Sequence, residues 1–448
     1  MGKLFGTDGV RGIANAELTA ELAYNLGRAG SYVLARTGGG KPLILVGKDT
    51  RISCDMLEAA LVAGICSTGA DVVCLDILPT PAIAFLVQKM SASCGIVISA
   101  SHNPVEDNGI KFFGPSGYKL PDETEEEIEN LVLEGTENLP RPIGENIGRV
   151  STAAQAEENY LLFLQNCVNW EGDLSKLTIV LDCANGAAYK VGPEIWKRLG
   201  AKVIPINHMP NGININKNCG STNTDLLKEA VVNHAADLGI AYDGDADRCI
   251  AVDEKGNEVD GDHIMLICAT HLNRQGLLKP PAVVATVMSN IGFDNALRKE
   301  NIEVISCKVG DRYVLEKMKE TGAIIGGEQS GHIIFLQHAT TGDGILTSLK
   351  LVEVLKTTSQ PLSVLASQMK KQPQLLVNVR VENKEQVLSQ EEVKKVLRKA
   401  EEQLGEWGKL VVRPSGTEPF VRIMAQGPEE ELLTKVIDEI RAVIEVKP

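Results

Sequence analysis

The sequence is poor in aromatic residues and has no two cysteines in the C-x-x-C spacing of redox or metal sites. Phe, Trp and Tyr make up 4% of the 448 residues, whereas 42 residues are glycine, which favours many turns and close helix–strand contacts. The ten cysteines are scattered, most of them in apolar segments such as residues 72–75. This usage is typical of reduced, buried thiols in a cytosolic protein and argues against a disulfide framework or a zinc site.

Long apolar runs and an excess of positive charge are also missing. No apolar run approaches the roughly 18 residues that a membrane span needs. Residues 1–8 lack the apolar core of a secretory leader, so we expect none. The formal charge of -14 repels nucleic acid and anionic lipid. We therefore expect a cytoplasmic protein that binds neither nucleic acid nor membranes and holds any anionic substrate with locally placed cations.

The composition is otherwise globular, with 44% apolar and 23% charged residues, and one pattern occurs three times. Each copy is a short apolar run rich in Val and Ile, then a helical stretch, then a second such run. The copies occupy residues 42–75, 177–204 and 282–306. This pattern predicts βαβ units in mixed, parallel-dominated sheets that are buried on both faces.

The last part of the chain lacks this pattern and reads as an α+β module. Ser389 and Glu392 have the spacing of a capping box, which predicts a helix start between two predicted strands. The predicted strands are residues 375–381, 409–412 and 420–425. We expect three similar α/β domains and a smaller C-terminal α+β domain, with boundaries at residues 1–150, 151–253, 254–370 and 371–448.

Five loops carry polar residues in patterns that suit chemistry, and the first follows an apolar strand that ends at Ile98. The strand runs directly into residues 99–104, so Ser101 and His102 stand beyond its carboxyl end. Ligands bind at this edge of such sheets. Taken alone, a strand that ends in serines is usually only a turn.

The second loop has carboxylates at alternate positions, Asp243, Asp245 and Asp247. Three carboxylates on one loop repel one another unless a hard divalent cation lies among them. The spacing also fits part of an EF-hand calcium loop, but Arg248 stands where that loop requires glycine, and both flanks read as strands. A partly filled Mg²⁺ shell that awaits phosphate oxygens is the better interpretation.

The other three loops are residues 6–12, 326–332 and 413–419. The first offers backbone N–H groups and Arg11, which suits a phosphate. The second combines a carboxylate, a hydroxyl and a histidine, and its glycines and apolar flanks predict an extended segment at 328–330. The third offers a guanidinium, two hydroxyls and a glycine, which suits a phosphate that does not react.

Together these loops resemble the signature loops of the α-D-phosphohexomutases, in the family's order and spacing over essentially the whole chain. The motifs are residues 99–104, 243–248, 327–332 and 413–419. Residues 5–12, residues 107–113 and Gln329 are most similar to the bacterial subgroup that acts on amino-sugar phosphates. The resemblance implies an isomerase that interconverts hexosamine 6-phosphate and 1-phosphate, with a hexosamine 1,6-bisphosphate as intermediate and activator, for cell-wall precursor synthesis.

The resemblance also implies a central cleft to which every domain contributes a loop. Ser101 would be the phosphoserine, and one of its phosphate oxygens would hold one Mg²⁺ together with the three aspartates. Glu328 and Ser330 would bind sugar hydroxyl groups, and the distal phosphate would be bound by Arg413, Ser415, Gly416 and Thr417. The transferring group would be contacted by Arg11, Lys111 and His332. Arg248 would contact a phosphate, and His102 would orient Ser101. Lys111 and His332 are the candidate general acid and base.

The residues alone leave other classes open. A metal-dependent sugar phosphatase would use similar parts, and a calcium-binding module would use the acidic loop alone. Within the family, a phosphomannomutase/phosphoglucomutase is the main competing assignment. The partner that we expect is a small sugar phosphate, and the chain could also form a homodimer.

Overall fold

The computed structural model describes residues 4–6, 8–35, 41–169, 172–414 and 420–445, with the backbone alone at 35, 385 and 406. Within these ranges the chain forms four β-sheets, each accompanied by helices. The predicted Ser415, Gly416 and Thr417 lie outside the described residues. None of the described helices is long and apolar enough to cross a membrane.

The first sheet has seven strands and is mixed. Its strands are Phe5–Gly6 (β1), Gly9–Ile13 (β2), Leu43–Lys48 (β3), Asp71–Ile77 (β4), Cys94–Ile98 (β5), Asp107–Phe113 (β6) and Val150–Thr152 (β7). They lie in the order β1-β2-β6-β5-β3-β4-β7, with β5, β3, β4 and β7 parallel and the others antiparallel. The accompanying helices are Ala20–Ala35 (α1), Ser53–Cys66 (α2), Thr80–Lys89 (α3) and Asp122–Glu134 (α4).

The second sheet combines a parallel part with an antiparallel hairpin. Its strands are Thr178–Asp182 (β8), Lys202–Ile206 (β9), Leu238–Tyr242 (β10), Cys249–Asp253 (β11) and Glu258–Val259 (β12), in the order β12-β11-β10-β8-β9. The pairs β10–β8 and β8–β9 are parallel, whereas β11 is antiparallel to both of its neighbours. Its helices are Ala156–Asn166 (α5), Val191–Arg198 (α6) and Asp225–Asn233 (α7).

The third sheet repeats this plan with four strands. They are Ala282–Thr286 (β13), Glu303–Cys307 (β14), Ile325–Gly327 (β15) and Ile333–Phe335 (β16), in the order β14-β13-β15-β16. Only the hairpin pair β15–β16 is antiparallel among these described strands. Its helices are Gly261–Arg274 (α8), Ile291–Lys299 (α9), Asp311–Thr321 (α10), Gly344–Thr358 (α11) and Leu362–Ala366 (α12).

The fourth sheet is small and antiparallel. Its strands are Gln374–Arg380 (β17), Lys409–Pro414 (β18) and Phe420–Gln426 (β19), in the order β17-β19-β18. The helices Lys384–Ser389 (α13), Glu391–Leu404 (α14) and Glu430–Glu445 (α15) accompany it. The predicted fold class, three similar α/β units and a smaller α+β unit, is therefore confirmed.

The predicted capping box is wrong. Ser389 is the last residue of α13, and its hydroxyl donates to the carbonyl of Gln386 at 2.7 Å. The next helix has Gln390 as its N-cap, with no side-chain capping bond. A short helix thus occupies the residues that the motif would need in an extended conformation.

The first three sheets share one hydrophobic core. A continuous cluster of buried side chains runs from the first sheet through the second to the third, with Leu45, Tyr160 and Met265 among its members. The fourth sheet has a separate core that includes Val379, Ile423 and Ile440. Because the three sheets pack on common side chains, the loops at their strand ends are held in one arrangement.

Candidate active site

Ser101 lies just beyond the carboxyl end of β5 and is almost fully buried. Its Oγ donates to Asp243 Oδ2 at 2.5 Å, and its backbone N–H donates to Ser99 Oγ at 2.9 Å. The Nδ1 atom of His102 lies 3.4 Å from Ser101 Oγ. Burial, followed by the charges of Arg248 and Arg11, lowers the pKa of His102 to about 4, so this ring is neutral and suits hydrogen bonding rather than charge.

The acidic loop joins β10 to β11, so strands flank it as predicted, and the EF-hand alternative lacks its two helices. All three aspartates are buried, and one ligand atom from each lies within 4.8 Å of the others. The Oδ1 atoms of Asp245 and Asp247 are buried and have no hydrogen-bond partner among the described residues. Buried carboxylate oxygens left in this way fit a hard cation.

The pKa values of two carboxyl groups on this loop shift in opposite directions. Burial, together with the charges of Asp247 and Asp245, raises the pKa of Asp243 well above its ordinary value. Burial also acts to raise the pKa of Asp247, but the charge and hydrogen bond of His332 outweigh it and lower that pKa. A divalent cation among the three carboxylates would remove the repulsion that Asp243 experiences.

Lys111, on β6, reaches this loop from the first sheet. Its Nζ lies 2.9 Å from Asp245 Oδ2 and 3.0 Å from Asp8 Oδ2. Burial lowers the pKa of Lys111, but these two carboxylates outweigh burial and raise it above its ordinary value. A lysine held in its charged form by two carboxylates suits stabilisation of negative charge or donation of a proton. The raised pKa favours a role for Lys111 as the general acid, and its role in proton transfer stays a prediction.

Asp8 brings three cations together. Arg11, Lys111 and Lys119 all form ion pairs with it, and Lys119 also pairs with Asp311 at the start of α10. Of the three cations, Lys119 also lines a cavity of about 210 Å³, together with Asp311 and His332 among others. Such a group of cations, placed locally in an acidic protein, suits a phosphate group.

His332 precedes β16 and lies between two carboxylates. Its Nδ1 is 3.5 Å from Asp247 Oδ2, and its Nε2 is 3.9 Å from Asp311 Oδ2. Burial lowers the pKa of His332, but the carboxylates outweigh burial and raise it to about 9. The N–H of Gly342 points at Nε2 at 3.1 Å, which favours the neutral ring. These opposed effects suit a group that gains and loses a proton.

The segment 328–330 is not extended, contrary to the prediction. The N–H of Gly331 donates to the carbonyl of Glu328 at 2.9 Å and closes a turn between β15 and β16. Gly331 has a φ of 91°, and a Cβ there would lie 2.3 Å from the carbonyl oxygen of Cys249. The hairpin register imposes this turn, so Glu328 and Ser330 do not share a strand face.

Glu328 and Ser330 differ in their surroundings. The Oε1 atom of Glu328 accepts a hydrogen bond from the N–H of Gly310 at 3.1 Å, which ties the turn to the residue before α10. Ser330 is exposed to solvent. Both lie next to the acidic loop, because the N–H of Cys249 donates to the carbonyl of Gly331 at 3.0 Å.

Of two predicted arginines, Arg248 lies beside the acidic loop and Arg413 lies on the fourth sheet. The Nε of Arg248 lies 4.0 Å from Asp243 Oδ2 and 3.9 Å from Asp247 Oδ1. Arg413 lies on β18 directly opposite Arg422 on β19, and no described hydrogen bond or ion pair joins it to the acidic loop. Burial and then the charge of Arg422 lower the pKa of Arg413. Two facing guanidinium groups fit a dianion.

The sequence interpretation missed several residues at this centre. Asp8, Arg51, Thr80 and Asp311 contact predicted site residues, and Lys119 pairs with Asp8 and Asp311. Arg51 follows β3 at the same sheet edge as Ser101, and the charged residues Asp49 and Arg51 close behind a buried strand were the available signal. Thr80, Lys119 and Asp311 stand in no recognisable motif.

Comparison with known proteins identifies four matching domain models along the chain. Residues 2–139, 158–256 and 260–372 match the alpha/beta/alpha domains I, II and III of phosphoglucomutase/phosphomannomutase, and residues 376–443 match its C-terminal domain. A phosphoglucosamine mutase of Syntrophomonas wolfei is 70% identical over 446 residues, which is 99% of each chain.

Solved structures share the fold at lower identity. A phosphoglucomutase/phosphomannomutase family protein of Burkholderia thailandensis superposes with a TM-score of 0.82 at 22% identity, over 98% of this chain and 97% of the other. The N-acetylphosphoglucosamine mutase of Aspergillus fumigatus, solved with GlcNAc-6P and magnesium, gives 0.69 at 18% identity, over 98% and 96%. The chain thus belongs to the phosphoglucomutase/phosphomannomutase family.

Proposed function

We propose that this protein is a phosphoglucosamine mutase, an isomerase that interconverts glucosamine 6-phosphate and glucosamine 1-phosphate through a phosphoserine at Ser101. The single observation that carries the proposal is the placement of Ser101 Oγ 2.5 Å from Asp243, on a buried acidic loop that Lys111 also contacts. The 70% identity to a phosphoglucosamine mutase over the whole chain supports the choice of substrate.

The reaction has two balanced halves. In the first, the P–O bond to Ser101 Oγ breaks, a P–O bond to a sugar hydroxyl forms, and the proton of that hydroxyl passes to a base, which gives hexosamine 1,6-bisphosphate. In the second, the bisphosphate presents its other phosphate, Ser101 regains a phosphoryl group, and the freed sugar oxygen takes a proton. Such transfer depends on alignment and on charge neutralisation.

The aspartates of the acidic loop would hold the cation, which we propose is Mg²⁺. When bound, Mg²⁺ neutralises charge on phosphoryl oxygens and brings them into line. Three carboxylates leave part of its shell for a phosphoserine oxygen. The buried Oδ1 atoms of Asp245 and Asp247, which have no hydrogen-bond partner among the described residues, support this fit.

We propose that His332 and Lys111 are the general base and acid. The Gly342 N–H favours the neutral His332 ring whereas two carboxylates favour the charged ring, so His332 suits both roles, and the charged Lys111 suits that of the acid. Lys111 and Arg11 are proposed to hold the transferring phosphoryl group, since Asp8 brings these two cations together and Lys111 also contacts the acidic loop. His102 is proposed to orient Ser101 by hydrogen bonding, and Arg248 is proposed to contact a phosphate.

Glu328 and Ser330 are proposed to bind sugar hydroxyl groups from the turn between β15 and β16. The distal phosphate would bind on the fourth domain, where the proposed residues are Arg413, Ser415, Gly416 and Thr417. Facing arginines on β18 and β19 support that position. A homodimer stays a prediction that sedimentation would test.

The experiment supplies glucosamine 6-phosphate, glucose 6-phosphate and mannose 6-phosphate separately, with Mg²⁺ and a trace of the matching 1,6-bisphosphate. We expect the highest kcat/KM for glucosamine 6-phosphate. A higher value for glucose or mannose phosphate would favour phosphomannomutase/phosphoglucomutase activity, and net release of inorganic phosphate would favour a phosphatase. Ser101→Ala should fold normally and lose nearly all turnover, so full activity in that variant would refute the phosphoserine mechanism.

A further inference from the structure

We infer that Arg51 is a positioning residue that sets the backbone of the loop carrying Ser101, an inference that rests on the proposed function. The Arg51 side chain is fully buried, as is that of its ion-pair partner Asp49. A guanidinium group has five N–H donors, and all five are used here. One reaches Asp49 Oδ2 at 3.0 Å, and the other four reach backbone carbonyl oxygens of one loop, those of Ser101, Asn103, Pro104 and Asp107.

Arg51 contacts the main chain of the nucleophile itself. Arg51 Nη2 lies 3.0 Å from the carbonyl oxygen of Ser101 and 2.8 Å from that of Asn103. Asn216 donates to the same carbonyl of Ser101 at 2.8 Å. The Ser101 carbonyl therefore accepts two hydrogen bonds. These bonds fix the backbone of Ser101 and, with it, the position of the Oγ atom.

Asp49 forms a second connection to the same residue. Its Oδ2 accepts from the Ser99 hydroxyl at 2.6 Å, and Ser99 Oγ in turn accepts from the N–H of Ser101 at 2.9 Å. Asp49 Oδ1 accepts from the backbone N–H of Arg51 at 2.9 Å. The buried ion pair thus holds both polar groups of the Ser101 main chain. Asp49 reaches the Ser101 N–H through the Ser99 hydroxyl, and Arg51 binds the Ser101 carbonyl directly.

Ser101 needs such support because its backbone is in an unfavourable conformation. Its φ is 52°, in the left-handed region that non-glycine residues seldom adopt. The acidic loop also approaches closely, since a Cβ on Gly244 would lie 2.5 Å from the Ser101 carbonyl oxygen. Phosphoryl transfer requires near-linear alignment, and a displacement of about 1 Å can lower the rate a hundredfold.

Arg51→Lys tests this inference, because lysine keeps the charge but has only three donors on one nitrogen and cannot form the fork. The matched control is Arg28→Lys. Arg28 is equally buried in the same domain and donates to Ser67 Oγ and to the carbonyls of Thr136 and Leu139, away from Ser101. Both variants are assayed with glucosamine 6-phosphate and saturating Mg²⁺, below their melting temperatures. The rate at which hexosamine 1,6-bisphosphate phosphorylates Ser101 is measured by intact mass.

We expect Arg51→Lys to lower kcat and the phosphorylation rate by about ten- to a hundredfold with little change in KM, because other domains hold the sugar phosphate. Arg28→Lys should lower the melting temperature and keep kcat within about twofold. Equal losses of kcat in the two variants, or wild-type kcat in Arg51→Lys, would overturn the inference.

Ser99→Ala provides a milder second test if Arg51→Lys does not fold. It removes one hydroxyl between Asp49 and Ser101, and we expect kcat to fall by about three- to tenfold at unchanged KM. An unchanged kcat would count against the positioning role. If Ser101 of the wild-type protein is phosphorylated but no hexose phosphate is isomerised, the proposed function is refuted. The inference about Arg51 is still tested in that case, because the effect of Arg51→Lys is also measured on the phosphorylation rate of Ser101.

Discussion

The Thr80 hydroxyl donates to Asp245 Oδ2 at 2.6 Å, so the first residue of α3 in the first domain orients a carboxylate of the acidic loop in the second. The backbone strengthens this link, because the Thr80 N–H donates to the Asp245 carbonyl at 3.0 Å. Residues that orient metal ligands typically change metal affinity by ten- to a hundredfold when removed.

Thr80→Val should therefore raise the Mg²⁺ concentration that gives half-maximal activity by about tenfold, with kcat at saturating Mg²⁺ close to that of the wild type. Titration of activity with Mg²⁺ measures this. Thr270→Val is the control, since Thr270 is buried on α8 and its hydroxyl has no partner among the described residues. Equal Mg²⁺ requirements in both variants would show that Thr80 does not act on the metal site.

Asp243 and Asp245 should respond differently to loss of charge when no metal is present. Burial and two like charges raise the pKa of Asp243, so Asp243→Asn should raise the free energy of unfolding in EDTA by about 1 kcal/mol or more. Asp245 pairs with buried Lys111 at 2.9 Å, so Asp245→Asn should lower it. Both variants should lose activity at least about a hundredfold. Urea unfolding distinguishes them, and a stability loss in Asp243→Asn would contradict this account.

Glu328→Gln should separate sugar binding from structure, because glutamine keeps an Oε1 acceptor for the N–H of Gly310. We expect a melting temperature close to that of the wild type. We also expect kcat/KM to fall about ten- to a hundredfold in both directions of the reaction, since a charge-assisted bond to a hydroxyl is lost. Glu316→Gln, an exposed change on α10, is the control. Early melting with wild-type kinetics would make Glu328 a structural residue only.

Asp343 should make stability depend on pH. It is the N-cap of α11, and the hydroxyl of Tyr160 on α5 donates to both of its oxygens at 3.0 Å. Burial raises the pKa of Asp343 to about 6 from an ordinary 3.8, and the charge of Asp247 adds to this. Cys167 and Cys249 also face it, and their thiols stay neutral because burial raises their pKa values.

Because the folded pKa is raised, the Asp343 contribution to stability is complete below about pH 4 and is lost as the pH rises through about 6. Asp343→Asn keeps an acceptor for the cap and removes this dependence. The difference in unfolding free energy between the variant and the wild type should change in favour of the variant by up to about 3 kcal/mol as the pH rises from 4 to 8. Asp225→Asn, at an exposed carboxylate, should show a difference that does not vary with pH. A constant difference for Asp343→Asn would refute the assignment.

The sequence predicted the sheets well because buried parallel strands are continuous apolar runs. The apolar run that begins the copy at 282–306 is β13, Ala282–Thr286, and the run that begins the copy at 177–204 is β8, Thr178–Asp182. Residue patterns also located the acidic loop between strands. The adjacency of Ser101 and Asp243, 142 positions apart, followed from resemblance to a family, since no local pattern contains it.

Features that depend on distant contacts could not be predicted. Lys119 pairs with Asp311, 192 positions away, and nothing near either residue indicates the other. The turn at 328–331 depends on the register of β15 with β16, because a shift of one residue would change which side chains share a face. The prediction of a capping box at Ser389 was wrong for a similar reason. The local motif does not show that Ser389 already belongs to the preceding helix, α13.

The core shared by the first three sheets has a consequence for synthesis of the chain. Its members extend from Leu45 to Met369, so the inner face of the first sheet has no complete apolar covering until most of the polypeptide has left the ribosome. The last domain has its own core and meets α9 through polar contacts, such as Ile291 N–H to Gln426 Oε1 at 2.7 Å. The nascent protein should therefore expose apolar surface until about residue 370 has been synthesised, after which the C-terminal domain can fold as a separate unit.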